Sequence, residues 1–220
     1  MDIYNILIKI AIYAIPIIFA ITLHEAAHGY VARHFGDNTA YMLGRISLNP
    51  AKHIDLVGTI IFPLVTVLIS PIMFGWAKPV PVNERNLRNP KRDMLWVAAA
   101  GPASNLVQML IWATVAKVVL TLSGEEGSRI ADYWFSVAIA GIQINIVFAI
   151  LNLLPIPPLD GGRIVTSLLP DSASYKFAQL ERYGMFIVLA IMLIPAVNQT
   201  LFAPPIIALT RLTIAVFGLG

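Results

Sequence analysis

The sequence predicts an all-α polytopic membrane protein of about five to six transmembrane helices, with a re-entrant segment and a short β-hairpin. Three observations carry this expectation. Of 220 residues, 58% are hydrophobic and only 12% charged, against roughly 45–50% and about 25% in soluble domains. Mean hydropathy is +0.77. The apolar residues fall in long runs separated by polar, basic or proline-rich breaks, and a span needs about 20 of them. The length suits one integral-membrane domain over 1–220, with a core at 3–169 and C-terminal helices at 183–219.

The first helix is expected from about Ile3 to Arg33, stopped by Gly36. It starts from Asp2 and carries polar groups inside, so it does not read as a cleaved leader. Asp37–Pro50 is polar enough to leave the membrane, and Thr39–Leu43 with Arg45–Leu48 around Gly44 would form the hairpin. Leu56–Phe74 is apolar, but Gly58, Pro63, Ser70 and Pro71 make it a poor regular span. In Gly75–Asn83, Pro79 and Pro81 force extended backbone, and Trp76–Asn83 reads as a strand able to pair with an extended peptide. Met94–Leu122 is a long helix, interrupted early by Gly101-Pro102, and Ser123–Asp132 is a short acidic loop. Tyr133–Leu154 is the next span and ends in Pro155–Gly162, read as non-helical. Arg163–Leu169 is a short helix and Pro170–Arg182 is polar. Tyr183–Val197 is a further span, and Ile206–Leu219, with Arg211 inside, is a span or an interfacial helix.

Basic residues set the topology. Arg33, Arg45 and Lys52 flank the first loop, and five Lys/Arg, Lys78, Arg85, Arg88, Lys91 and Arg92, lie between 78 and 92. The positive-inside rule puts both stretches in the cytosol and the Glu125–Asp132 loop outside. The two ends of 56–74 then lie on one side, so that segment is re-entrant. Irregular backbone at that depth must be covered by protein or line a water-filled cavity. The net charge of +3 is accounted for by topology, so no nucleic-acid partner is inferred. With no cysteine, any metal site must use His and carboxylate, and the only His are 24, 28, 34 and 53.

His24, Glu25 and His28 spell H-E-x-x-H inside the first apolar run. On a helix, positions i and i+4 share a face, so both imidazoles can meet one zinc ion with Glu25 beside it to handle a proton. Ionisable groups within a span are functional candidates by default. His24 lies about 14 Å from Arg33 at 1.5 Å per residue, near the middle of a core about 30 Å thick. A catalytic zinc usually takes three protein ligands. His34, His53, Asp55 and Asp160 are the candidates for the third, and Asp160 leads. It follows an apolar span on a proline-stiffened backbone, and Gly161-Gly162 permit close approach.

At this point the sequence resembles the site-2 protease family of intramembrane zinc metalloproteases, in a compact form without PDZ or CBS regions. The resemblance rests on His24–His28 and on Asn152-Leu153-Leu154-Pro155-Ile156-Pro157-Pro158-Leu159-Asp160-Gly161-Gly162. Gly101-Pro102-Ala103-Ser104-Asn105 looks like the family's G-P-x-x-N element, and Gly75–Asn83 like its re-entrant hairpin. The match spans about Ile3–Leu169. It implies one Zn2+ per chain held by His24, His28 and Asp160, Glu25 as catalytic acid/base, and Asn152 as an oxyanion stabiliser. Asn105 reads as a tie between helices. The implied partners are a transmembrane-helix substrate and the lipid bilayer, with the site opening to the cytosol of a prokaryotic membrane. Two other readings use the same residues: a membrane metal-binding or transport protein, and an inactive protease-like scaffold. Polar groups concentrated near one depth argue against the first, and an intact His, Glu and Asp set against the second.

Overall fold

In the computed structural model, which describes residues 3–61, 77–123 and 128–219, the chain is mostly helical and has no strand among those residues. Helix α1 is Ile3–His34, α2 Thr39–Met42, α3 Pro90–Ser123 and α4 Arg129–Leu153. Then come α5 Asp160–Leu168, α6 Asp171–Ala178, α7 Glu181–Leu193 and α8 Pro195–Phe217.

Local chemistry sets these boundaries. Gly36 ends α1 at φ +110, and the Asp37 N–H closes the cap on the Ala32 carbonyl at 3.0 Å. Both are features of a glycine-terminated helix. Arg33 and His34 in the last turn complement the dipole. The Ser128 hydroxyl caps α4 by accepting the Ala131 N–H at 3.2 Å.

Helices α1, α3 and α4 form the centre. Met109, Ala113 and Ala116 of α3 pack on Ala138, Ile142 and Ile146 of α4, and Ile206, Leu209 and Phe217 of α8 close that cluster. Ala113, Ala116 and Ala138 in this cluster allow the close backbone approach that drives helix association in lipid. Gly141 receives the Trp112 ring, and a Cβ there would overlap it. A second cluster joins Ala32 of α1, Leu87, and Met94 and Val97 of α3. The outer faces expose Leu7, Ile10 and Phe19 on α1 and Val107, Ile111 and Val118 on α3, a surface suited to lipid tails.

Among the described residues, four helices are long and apolar enough to cross a membrane: Leu7–His34, Pro90–Ser123, Arg129–Leu153 and Pro195–Phe217. Five to six were expected. Helix α7 has 13 residues, short of the roughly 20 a crossing needs. The expected hairpin is replaced by a helical turn. Asp37 Oδ1 accepts the Thr39 N–H at 3.0 Å and the Thr39 hydroxyl, which starts α2 instead of a strand. Gly44 still turns the chain, at φ +62.

Helix α3 runs unbroken through Gly101-Pro102, because neighbouring helices hold a proline-containing turn in place. The helix after Pro155–Leu159 begins at Asp160, so Gly161 and Gly162 lie in its first turn. Leu56–Ile61 forms a wide helical turn. Residues 62–76, the body of the expected re-entrant segment, and Trp76 with them, lie outside the described residues. The ends of that stretch are joined. The Lys78 N–H donates to the His53 carbonyl at 2.9 Å, and Arg45 Nη2 donates to the Lys78 and Pro79 carbonyls at 3.0 and 3.3 Å.

Gly141→Val should lower the thermal midpoint in detergent, followed by circular dichroism, by an amount corresponding to about 1–3 kcal/mol of overpacking. Val118→Ala on the exposed face should leave it nearly unchanged.

Candidate metal centre

Helix α1 presents His24 and His28 one turn apart on its inner face, and α5 brings Asp160 to them from across the bundle. His24 Nε2 lies 3.1 Å from His28 Nε2. Asp160 Oδ2 lies 3.2 Å from the first and 3.4 Å from the second. Four-coordinate zinc with bonds of 2.0–2.1 Å places neighbouring donors about 3.3 Å apart. The three atoms thus form one face of a tetrahedron of the right size. Among the described residues, this is the group of His and carboxylate side chains close enough to hold a metal ion.

The second nitrogens fix what the first can do. His28 Nδ1 faces the Val97 carbonyl at 2.7 Å. A carbonyl only accepts, so Nδ1 carries the proton. His24 Nδ1 faces Asn105 Oδ1 at 2.6 Å. The Asn105 amide is itself oriented, because Nδ2 donates to Asn145 Oδ1 at 2.9 Å and to the Ala20 carbonyl at 3.3 Å. Asn145 is held in turn by its bond to the Gly141 carbonyl at 2.9 Å. In the neutral rings both Nε2 atoms therefore bear lone pairs, and they point at each other and at Asp160 Oδ2, a buried oxygen with no hydrogen-bond donor. With the rings neutral and the carboxylate ionised, three electron pairs converge, an arrangement stabilised by a cation. The hydrogen-bonded second nitrogens are what imidazole metal ligands commonly have.

Glycines make room for this packing. A methyl group on Gly101 would lie 2.6 Å from His24 Cε1 and Nε2, and nearer still to His28 Nε2. At Gly161 it would run into the Leu153 and Leu154 carbonyls, and at Gly162 into the backbone of Ile156 and Pro157. These contacts press the first turn of α5 against the end of α4 and set the position of Asp160.

Glu25 follows His24, and its Oε2 accepts the Val80 N–H at 2.7 Å. The strand expected over Trp76–Asn83 would have offered that donor to a bound peptide. Here 77–83 has no regular structure, and the donor is turned to Glu25. Asn152 Nδ2 is bonded back to the Phe148 carbonyl at 3.0 Å, which uses one of its two hydrogens.

The other candidates for third ligand stand apart. His34 is exposed with its ring edge-on to Phe35. His53 is buried and faces the Ser47 carbonyl at 2.8 Å. Asp55 accepts the Gly58 N–H at 2.7 Å. Sequence reasoning missed the contact of Asn105 with His24, and it missed Asn145 altogether. An amide in the middle of the apolar 133–154 run, which also carries Gln143 and Asn152, was the available signal.

A family model described as peptidase family M50 matches residues 114–195. The chain is 40% identical over 195 residues to YwhC of Bacillus subtilis, whose name classes it as a zinc metalloprotease. The alignment covers 86% of this chain and 83% of that one. Rip2 of Mycolicibacterium smegmatis, named in the same way, is 28% identical, with 84% and 68% covered. Rip2 of Mycobacterium tuberculosis is 25% identical, with 83% and 67% covered. No solved structure matches the chain at a significant level.

Asn105→Ala removes the acceptor that fixes the His24 ring. Zinc affinity, measured by competition with a chromophoric chelator, should weaken roughly 10–100-fold. Asn105→Asp, which keeps an acceptor there, should recover part of the loss.

Proposed function

The chain belongs to peptidase family M50, the zinc metalloproteases of site-2 type, and from that premise we propose that it hydrolyses peptide bonds within or beside transmembrane segments of other membrane proteins, in regulated intramembrane proteolysis. In this reading His24, His28 and Asp160 hold the zinc and Glu25 moves the proton. The observation that carries it is the triangle of Nε2, Nε2 and Oδ2, with edges of 3.1 to 3.4 Å and its electron pairs turned inward.

When bound, zinc polarises water and the scissile carbonyl. Glu25 takes the proton from the attacking water and returns it to the leaving nitrogen. Asn152 keeps one amide hydrogen for the oxygen that gains charge in the tetrahedral adduct. Asn105 and the Val97 carbonyl hold the two rings with Nε2 inward throughout. A substrate helix has its amides bonded internally, so it must unwind locally to present one of them.

The whole of 1–220 acts as one domain in this proposal, with the core at 3–169 and helices at 183–219 around it. The segment after His53 enters and leaves the membrane on the cytosolic face, and the site opens there. Supporting this are the basic flanks and the bonds that join Lys78 to His53 and Arg45.

Glu25→Gln should abolish cleavage of a single-span membrane protein, a loss of at least about 100-fold, while the protein still binds about one zinc. His24→Ala, His28→Ala and Asp160→Ala should each lose zinc, and full zinc in Asp160→Ala would defeat the ligand assignment. Cysteines placed at Lys52 and Arg88 should react with an impermeant reagent from the same side. Reaction from opposite sides would make the intervening segment a complete span.

A further inference from the structure

Segment 77–83 is irregular, yet it is fixed along its length. At its start are the bonds from Lys78 to His53 and from Arg45 to Lys78 and Pro79. At its end the Asn83 N–H donates to Asp37 Oδ2 at 2.7 Å. Between them lies Val80, flanked by Pro79 and Pro81, which have no N–H. Val80 therefore supplies the only backbone donor of 79–81, and that donor meets Glu25.

The approach is built into α1. Gly29 lies one turn beyond Glu25, and a Cβ there would sit 3.2 Å from Val80 Cγ1 and 2.9 Å from Ile46 Cγ1. The missing side chain lets the strap lie against the helix, with Val80 only 7% exposed. Asp37 is the anchor. It is fully buried and accepts from Thr39 N, Thr39 Oγ1, Asn83 N and Asn86 Nδ2. Burial alone pushes its carboxyl up, but the bonds from Thr39, Asn83 and Asn86 outweigh that and hold it below the usual carboxylate range. It is ionised at neutral pH, which strengthens every bond it accepts.

We infer that the Pro79–Asn83 strap is the positioning arm of Glu25 and that Asp37 is the residue that anchors it. Val80 fixes one carboxylate oxygen of Glu25, which aims the other. Asp37 acts through the strap and touches no reacting atom, so it is a positioning residue. This rests on Glu25 carrying the proton, as proposed above. A freely rotating Glu25 would reach its productive geometry less often, and the chemical step would slow while substrate binding stayed the same.

The test reads the arm without cleavage as well as with it. Proline precedes valine only at 79–80 and 81–82, so labelling with 13C-carbonyl proline and 15N-valine isolates the Val80 and Val82 amides in an NMR spectrum. In zinc-free wild type, Val80 should exchange its amide hydrogen at least about tenfold more slowly than Val82. Glu25→Ala and Asp37→Ala should each remove that protection. With zinc, Asp37→Ala should lower kcat roughly tenfold on a single-span substrate, leaving KM and zinc content unchanged. Asp37→Asn keeps the volume and one acceptor oxygen, folds if Asp37→Ala does not, and should fall between Asp37→Ala and wild type in both readouts.

Val80 protection equal to wild type in both Asp37 variants would overturn the inference, as would a rise in KM at constant kcat. If Val80 responds as expected but wild type cleaves no membrane substrate, the arm stands and the proposed function fails.

Discussion

Two imidazole nitrogens 3.1 Å apart, both with lone pairs inward and a carboxylate oxygen beside them, repel one another unless a cation joins them. Holding such a cluster among helices apolar enough to cross a membrane is the demand that organises the inner layer of this protein. Lipid offers no water to satisfy a polar group, so the polar atoms that hold the two rings need partners within the protein. His28 finds the Val97 carbonyl of α3, and His24 finds Asn105 of α3, which rests on Asn145 of α4. The three central helices are thus joined by the same bonds that set the tautomers. Fold and chemistry share one set of interactions.

Small residues make that arrangement sterically possible. Two ligand candidates arrive on α1 and the third about 130 residues later, so the helices must approach closely to bring them together. Gly101 leaves the room the rings occupy, while Gly161 and Gly162 let the turn at Asp160 sit on the end of α4. Propensity alone would disfavour glycine in these helices by about 1 kcal/mol each. Close approach outweighs it, because a methyl group at any of the three would collide with a ring or with backbone.

The sequence carried much of this. The apolar runs located α1, α3, α4 and α8, since a span is a strong compositional signal. The closeness of His24 and His28 was legible because i, i+4 spacing on a helix is geometry that needs no tertiary information. Asp160 was legible as a candidate from its glycines and prolines. Harder to read were features set by tertiary contact. Pro102 was expected to interrupt its helix, but packing holds the turn. Thr39–Leu48 was read as a hairpin from Gly44, without the Asp37 bonds that start a helix. Val80 was read as an edge donor, because nothing local says that its amide faces Glu25 across 55 positions.

The joint between His53 and Lys78 has a different kind of consequence. Once the chain is pinned at both ends, what lies between becomes an interchangeable insert. Loop-closure entropy grows only by about 0.6 kcal/mol per doubling of length, and the bonds among Arg45, His53 and Lys78 are made by residues outside the insert. A lineage could reshape that insert to recognise a new target, and the machinery that holds the histidines and Glu25 would not have to be rebuilt.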